Sequence, residues 1–195
     1  TKLSENLFEG LSPWMQKLPG GLIHVNVVGC AIFAAISGSS AATVATVGKM
    51  SIPELRKRNY PEKILLGSLA GSGTLGLLIP PSIILIIYGV TVQESIAKLF
   101  IAGIFPGIMI AFIFMTYVVI WSLMNKNKMP VLTEEIPFIY KIKKSGKLIP
   151  VILLIVSVIG SIYSGVATAT EAASLGVVGA LILSFFQKSL TLNSF

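Results

Sequence analysis

The sequence predicts an all-α polytopic membrane protein with a re-entrant helical hairpin, a broken transmembrane helix and further transmembrane helices. Three observations predict it. Hydrophobic residues fill 54% of the 195 positions and charged residues only 12%, with a mean hydropathy of +0.86; soluble domains carry about 25% charged residues. The charges are gathered into short runs between long uncharged stretches. Two apolar stretches are interrupted by small polar residues, Ser37-Gly38-Ser39-Ser40 and Gly71-Ser72-Gly73-Thr74.

A helix crossing the hydrocarbon core needs about 20 mostly apolar residues, and the chain divides on that measure. Residues 1–24 are an interfacial or cytoplasmic lead-in. Residues 25–47 are apolar enough to enter the bilayer, but Ser37–Ser40 leave two arms that are each too short to span. Such arms describe a re-entrant hairpin, whose non-helical backbone survives at depth only under protein or water. A single kinked spanning helix is the alternative. Residues 48–63 form a basic cytoplasmic loop. Residues 64–90 read as a transmembrane helix broken at Gly71–Gly76 and at Pro80-Pro81. Residues 99–124, 148–163 and 171–187 are further spans. Residues 125–147 are a cytoplasmic connector mixing Lys with Phe138, Ile139, Tyr140 and Ile142. That mixture fits an amphipathic helix on the membrane surface, with Lys toward anionic headgroups, or a solvated loop. The whole reads as one incomplete membrane domain, since the chain starts without Met and stops without a closing element.

Charge sets the expected orientation. Five Lys and Arg lie in Lys49–Lys63 and six in Lys126–Lys147. Basic residues in short loops flanking apolar spans are topology determinants. If the hairpin enters and leaves on the cytoplasmic side, both clusters, Lys17 and Lys188 fall inside and Lys98 outside. A spanning 25–47 segment would put Lys17 and the N-terminus outside instead. The same distribution argues against a nucleic-acid surface despite the net charge of +7, because such a surface needs basic residues on a folded polar face.

Motifs narrow the chemistry. Gly71-Ser-Gly-Thr-Leu-Gly76 matches the dinucleotide fingerprint by letter. That fingerprint needs a strand before it and a helix after it, whereas here it sits in an apolar run ended by Pro80-Pro81. One His, one Cys and no Asp leave no nucleophile–base set and no zinc site, so no enzyme and no organic cofactor are expected. In a membrane the glycines either let helices pack closely or mark a break whose carbonyls and hydroxyls coordinate a cation such as Na⁺. Paired interruptions in successive apolar segments point to a midplane transport site. Its candidate cation ligands are Ser37, Gly38, Ser39, Ser40, Gly71, Ser72, Gly73 and Thr74. For each hydroxyl, a bond to its own helix carbonyl is the simpler alternative. Glu171 is either an intramembrane carboxylate or the far half of a capping box with Thr168.

These residues carry a family likeness. Leu18-Pro-Gly-Gly-Leu-Ile-His-Val-Asn26 and Ala31–Thr43 resemble the first hairpin region of tripartite ATP-independent periplasmic (TRAP) transporter large membrane subunits. Ser51–Pro61 resembles the loop that follows in that family, and Leu77–Gly89 its broken helix. Phe100–Gly107 and Thr168-Ala-Thr-Glu-Ala-Ala173 are similar to two more stretches, although Ala169 stands where Pro is usual. The resemblance implies an elevator-type fold of two inverted repeats, of which this chain holds the first. It implies Na⁺-coupled uptake of an organic acid, such as sialic acid or a C4-dicarboxylate, across a bacterial inner membrane. It implies two partners, a small membrane subunit and a periplasmic substrate-binding protein. By motif, Ser37–Ser40 with Gly71–Thr74 would hold Na⁺, and Thr43, Pro80, Pro81 and Ser82 would lie on the substrate path. A citrate or dicarboxylate symporter working without a binding protein is the competing reading, and a membrane scaffold is a third.

Overall fold

The computed structural model describes residues 2–130 and 137–186, and among these every regular element is helical. Residues 131–136 of the connector, Gln187 of the last expected span and Lys188 of the charge count lie outside the described residues. The helices are α1 (Lys2–Met15), α2 (Ile23–Ser37), α3 (Ser40–Lys57), α4 (Glu62–Gly73), α5 (Ile83–Val92), α6 (Ile96–Met124), α7 (Phe138–Ser145), α8 (Ile149–Tyr163) and α9 (Ala169–Phe186).

Helices α2 and α3 form an antiparallel hairpin that turns at Gly38-Ser39. Its register is fixed by Ser37 Oγ against Thr43 Oγ1 at 2.8 Å near the tip and by Gly29 against Val47 further down. The first arm is tied to α4 by Asn26, whose Nδ2 donates to the Leu65 carbonyl at 3.2 Å and to Ser68 Oγ at 3.0 Å. The second arm outlasts the apolar sequence. Where a basic loop is expected from residue 48, α3 stays helical to Lys57, because Val47, Ser51 and Leu55 recur every four residues and are all buried. An inner stripe at helical spacing overrides loop-like composition. The loop that follows is short, and Arg56 Nε reaches across it to Glu62 Oε1 at 2.6 Å.

The segment expected to be a broken helix is two separate helices. α4 runs through Gly71–Gly73 and tightens into a 3-10 turn over Thr74–Leu77. Residues 78–82 are non-helical and contain a cis Pro80-Pro81 bond before α5 begins. With 12 and 10 residues, neither helix alone reaches across a core that needs about 20. The unwinding therefore starts at Leu78, later than the Gly71–Gly76 stretch where the sequence suggests it.

Among the described residues, two helical stretches are long and apolar enough to cross a membrane, α6 with 29 residues and Phe138–Tyr163 with 26. The latter joins α7 to α8 through a 3-10 turn at Gly146–Leu148. Both expose large apolar side chains: Phe105 of α6 is 76% exposed and Leu153 of α8 62%, and α5 and α9 do the same at Ile87 and Val177. Contiguous apolar surface of this kind needs lipid or protein around it. The buried core lies at the base of the hairpin, where Leu7, Phe8 and Leu11 of α1 meet Leu22, Ile23, Leu55, Tyr60, Ile64 and Leu65.

Polar clamps hold α1 to α7. Glu9 Oε2 accepts from Lys144 Nζ at 2.6 Å and Lys147 Nζ at 2.5 Å, and Trp14 Nε1 donates to Ser145 Oγ at 2.8 Å. The Lys144 hydrogen bond, followed by that of Lys147, holds the Glu9 carboxyl below the usual glutamate range. A depressed carboxylate contributes stability above its unfolded pKa and loses it as pH falls through the folded value. The pairs are partly exposed, so each contributes about 1 kcal/mol or less. Thermal melting of the full-length protein from neutral pH to pH values below the ordinary Glu range should lose a small increment in wild type. Glu9→Gln should start lower and lack that increment; identical profiles would remove the clamp from the list of stabilising contacts.

Candidate functional site

The hairpin tip is shaped by what each residue can do at a turn. Gly38 ends α2 in the left-handed region, at φ 59°, a conformation glycine adopts without the Cβ penalty. Its N–H closes on the Ala34 carbonyl at 2.9 Å. Ser39 is extended and caps α3, its Oγ accepting from the Ala42 N–H at 3.4 Å. Ser37 Oγ faces back into the tip and donates to the Ser39 carbonyl at 3.3 Å while bonding Thr43 Oγ1.

This tip sits directly on the break between α4 and α5. The Gly38 carbonyl accepts from the Ile83 N–H at 3.3 Å. A methyl group at Gly38 would meet the Pro81 carbonyl oxygen at 2.6 Å, and one at Gly76 would meet the Ser40 nitrogen at 2.8 Å. One at Gly73 would overlap Val44 of α3. From the other side, Gly103 and Gly107 of α6 admit Leu78 and Ile79, whose nearest atoms would lie 2.7 and 2.8 Å from an added Cβ. At Gly38, Gly76 and Gly103 the facing atoms are backbone, at Gly73 and Gly107 they are the side chains of Val44 and Ile79, and the broken segment is gripped from two faces.

The electrostatics follow from the helix ends. Unwinding and the two prolines leave the carbonyls of Leu78, Ile79, Pro80 and Pro81 without a backbone donor among the described residues. The C-terminal ends of α2 and α4 and the N-terminal ends of α3 and α5 meet in the same place. C-terminal ends and free carbonyls attract a cation, and N-terminal ends attract an anion. One locus therefore offers both polarities without a formal charge.

The expected site residues divide. Ser37, Gly38, Ser39 and Ser40 lie at the tip with Thr43, and Pro80, Pro81 and Ser82 lie opposite them. Gly73 packs on α3. Ser72 and Thr74 turn their hydroxyls to their own helix, bonding the carbonyls of Ser68 and Gly71, and Ser82 Oγ donates to the Leu77 carbonyl at 2.7 Å. Gly71 faces Phe114 rather than the tip. On α9, Glu171 Oε2 accepts from both the N–H and the hydroxyl of Thr168 at 2.8 Å, and the Glu171 N–H points back to Thr168 Oγ1 at 3.4 Å. That is a reciprocal cap on α9. Sequence reasoning missed the free carbonyls of residues 78–81, which the Pro-Pro pair signals through its missing donors. It also missed Gly76 as the contact point of the tip.

Gly38→Ala and Gly38→Asn separate two constraints. Asn tolerates the left-handed region but still places a Cβ against Pro81. Both variants of the full-length protein should melt lower, by about 1 kcal/mol or more. Rescue by Asn would mean that conformation alone, not the close approach, demands glycine.

Comparison with known proteins gives this arrangement a family. The model of the family described as tripartite ATP-independent periplasmic transporter, DctM component, matches residues 1–195. The chain is 39% identical over 184 residues to the C4-dicarboxylate TRAP transporter large permease protein DctM of Pseudomonas aeruginosa, covering 94% of this chain and 42% of that protein. It is 35% identical over 196 residues to the sialic acid TRAP transporter permease protein SiaT of Haemophilus influenzae, covering 98% and 31%. It is 36% identical over 188 residues to the ectoine TRAP transporter large permease protein TeaC of Halomonas elongata, covering 93% and 42%. The chain spans less than half the length of these curated relatives. Matched end to end, it belongs to the DctM component family, the large permeases of TRAP transporters.

Proposed function

We propose that this chain forms the first half of the moving transport unit of a Na⁺-coupled importer of organic acids. In this reading the hairpin is re-entrant, α4 and α5 are the halves of a broken transmembrane helix, and the assembly is a multi-pass protein of a bacterial inner membrane. The observation that carries the proposal is the seating of the hairpin tip on the unwound residues 78–82, with free carbonyls and four helix ends converging there. Relatives named for C4-dicarboxylate and sialic acid support a carboxylate substrate. The family supports a small membrane subunit and a periplasmic binding protein as partners.

The mechanism follows from polarity. A desolvated cation suits neutral oxygens: the tip hydroxyls of Ser37 and Ser39 and the carbonyls of residues 79–81, that of Leu78 lying against Gly103 of α6. Once bound, the cation joins the tip to the break and offsets the negative ends of α2 and α4. The positive ends of α3 and α5 are then left to favour the substrate carboxylate. Thr43 and Ser82 line that side of the tip. In an elevator step, the loaded unit slides against the remaining helices, and the apolar faces of α5 and α6 keep the moving surface greasy.

Uptake into proteoliposomes tests this, using the full-length protein, its small subunit and ligand-loaded binding protein with and without an inward Na⁺ gradient. Transport should need both the gradient and the binding protein. Ser37→Ala and Ser39→Ala should raise the Na⁺ concentration for half-maximal uptake by about fivefold or more, the loss of one ligand or cap of about 1 kcal/mol. Thr74→Ala, whose hydroxyl serves its own helix, should leave that value near wild type. Unchanged Na⁺ dependence in the tip variants would refute the cation site. Uptake of free substrate without binding protein would favour the simpler symporter.

A further inference from the structure

Helix α7 joins a membrane-length helix to the charged end of the chain's second basic cluster, and its two faces are engaged differently. Toward α1, Lys144 is held by Glu9, Ser145 by Trp14, and Lys141 lies over the Trp14 ring at 5.5 Å. Phe138 meets the same ring edge-on, at 6.0 Å between centroids. Apart from the Trp14 contact of Phe138, these apolar side chains stay open: Phe138 is 66% exposed and Ile139 75%, and Ile142 is exposed beside them. At about 100° per residue these three fall on one arc, with Lys141 at one edge and Lys143 at the other. Neither lysine has a carboxylate partner among the described residues.

Depth follows from counting. Starting at Tyr163 and taking the about 20 residues that a bilayer core requires ends at Lys144. The residues before it, Phe138–Lys143, then lie at the level of the lipid headgroups. Aromatic residues gather at that level, and Lys stems lie along apolar surface while the ammonium reaches outward. Glu9 offsets one of the two charges of Lys144 and Lys147, so this end of the chain stays net positive, with Lys143 at one edge of the apolar arc and Lys141, over the Trp14 ring, bordering the other.

We propose that the outer face of α7 binds anionic phospholipid, with Phe138, Ile139 and Ile142 against acyl chains and Lys141 and Lys143 on headgroup phosphates. Through the Trp14 and Glu9 contacts, α7 thereby anchors α1, the segment that leads into the hairpin. This rests on the membrane reading of α8, and the test separates the two.

Full-length transporter, otherwise free of cysteine, carries a bimane label at Ile139→Cys or at Val156→Cys on the exposed face of α8. Each is placed in nanodiscs doped with equal fractions of brominated phosphatidylglycerol or brominated phosphatidylcholine, and quenching is read. The label at 139 should be quenched about twofold or more strongly by the anionic lipid, and Lys141→Gln with Lys143→Gln should erase that preference. The label at 156 should be quenched by both lipids alike. Equal quenching at 139 by the two lipids overturns the headgroup assignment. Quenching at 156 but none at 139 overturns it too, with protein covering α7. No quenching at either position overturns the membrane reading itself.

Discussion

The close approach of backbone to backbone between the hairpin tip and the α4–α5 break is the contact on which the rest depends. Three glycines make it possible, each in a different way. Gly38 supplies the left-handed turn and clears the Pro81 carbonyl; Gly73 clears Val44; Gly76 clears the Ser39–Ser40 peptide. Without that approach the Gly38 carbonyl could not accept from Ile83, and the helix ends would not converge. Gly103 and Gly107 of α6 then hold the far side of the same segment. The contact is thus made by removing side chains more than by adding them.

A polar site inside an apolar protein has to justify its desolvation. Side-chain hydroxyls near the tip mostly do so locally, with Ser37 on Thr43, Ser72 on Ser68 and Ser82 on Leu77. The carbonyls of residues 78–81 have no such local donor. Unpaired backbone acceptors cost free energy where they are shielded from water, and of these four residues Pro80 is buried and the others half-buried. Asn26 adds stiffness by tying the first arm to α4, which keeps the tip in register over the break.

Much of this was legible in the sequence, and the exceptions have physical reasons. The all-helical class and the polar turn at Ser37–Ser40 could be read because apolar length and small polar interruptions are one-dimensional signals. The Pro80-Pro81 break could be read because proline has no N–H to continue a helix. What could not be read was helix phase. Whether Ser72 and Thr74 face the tip or their own helix depends on where α4 ends, and Gly71–Gly73 stayed helical because Gly73 packs on Val44. The extension of α3 to Lys57 was hidden for a related reason, since Ser51 is polar by letter yet buried in place. The joining of α7 to α8 also depends on a turn at Gly146 that composition alone reads as a loop.

The most direct measurement is a disulfide between α3 and the C-terminal end of α4, beside the tip–break contact, in the full-length transporter in its membrane. An added Cβ at Gly73 would lie 3.4 Å from Val44 Cβ, near the spacing of about 3.5–4.5 Å that a disulfide needs. Exchanging Val44 for Cys also removes the methyl that would clash. In a Cys30→Ala background, Val44→Cys with Gly73→Cys should cross-link on mild oxidation, as a mobility shift after protease cleavage of an engineered site in the α3–α4 loop would report. A thiol pair that stays reduced and freely alkylated under those conditions would contradict the close approach of α3 to the end of α4 on which the seating of the tip depends.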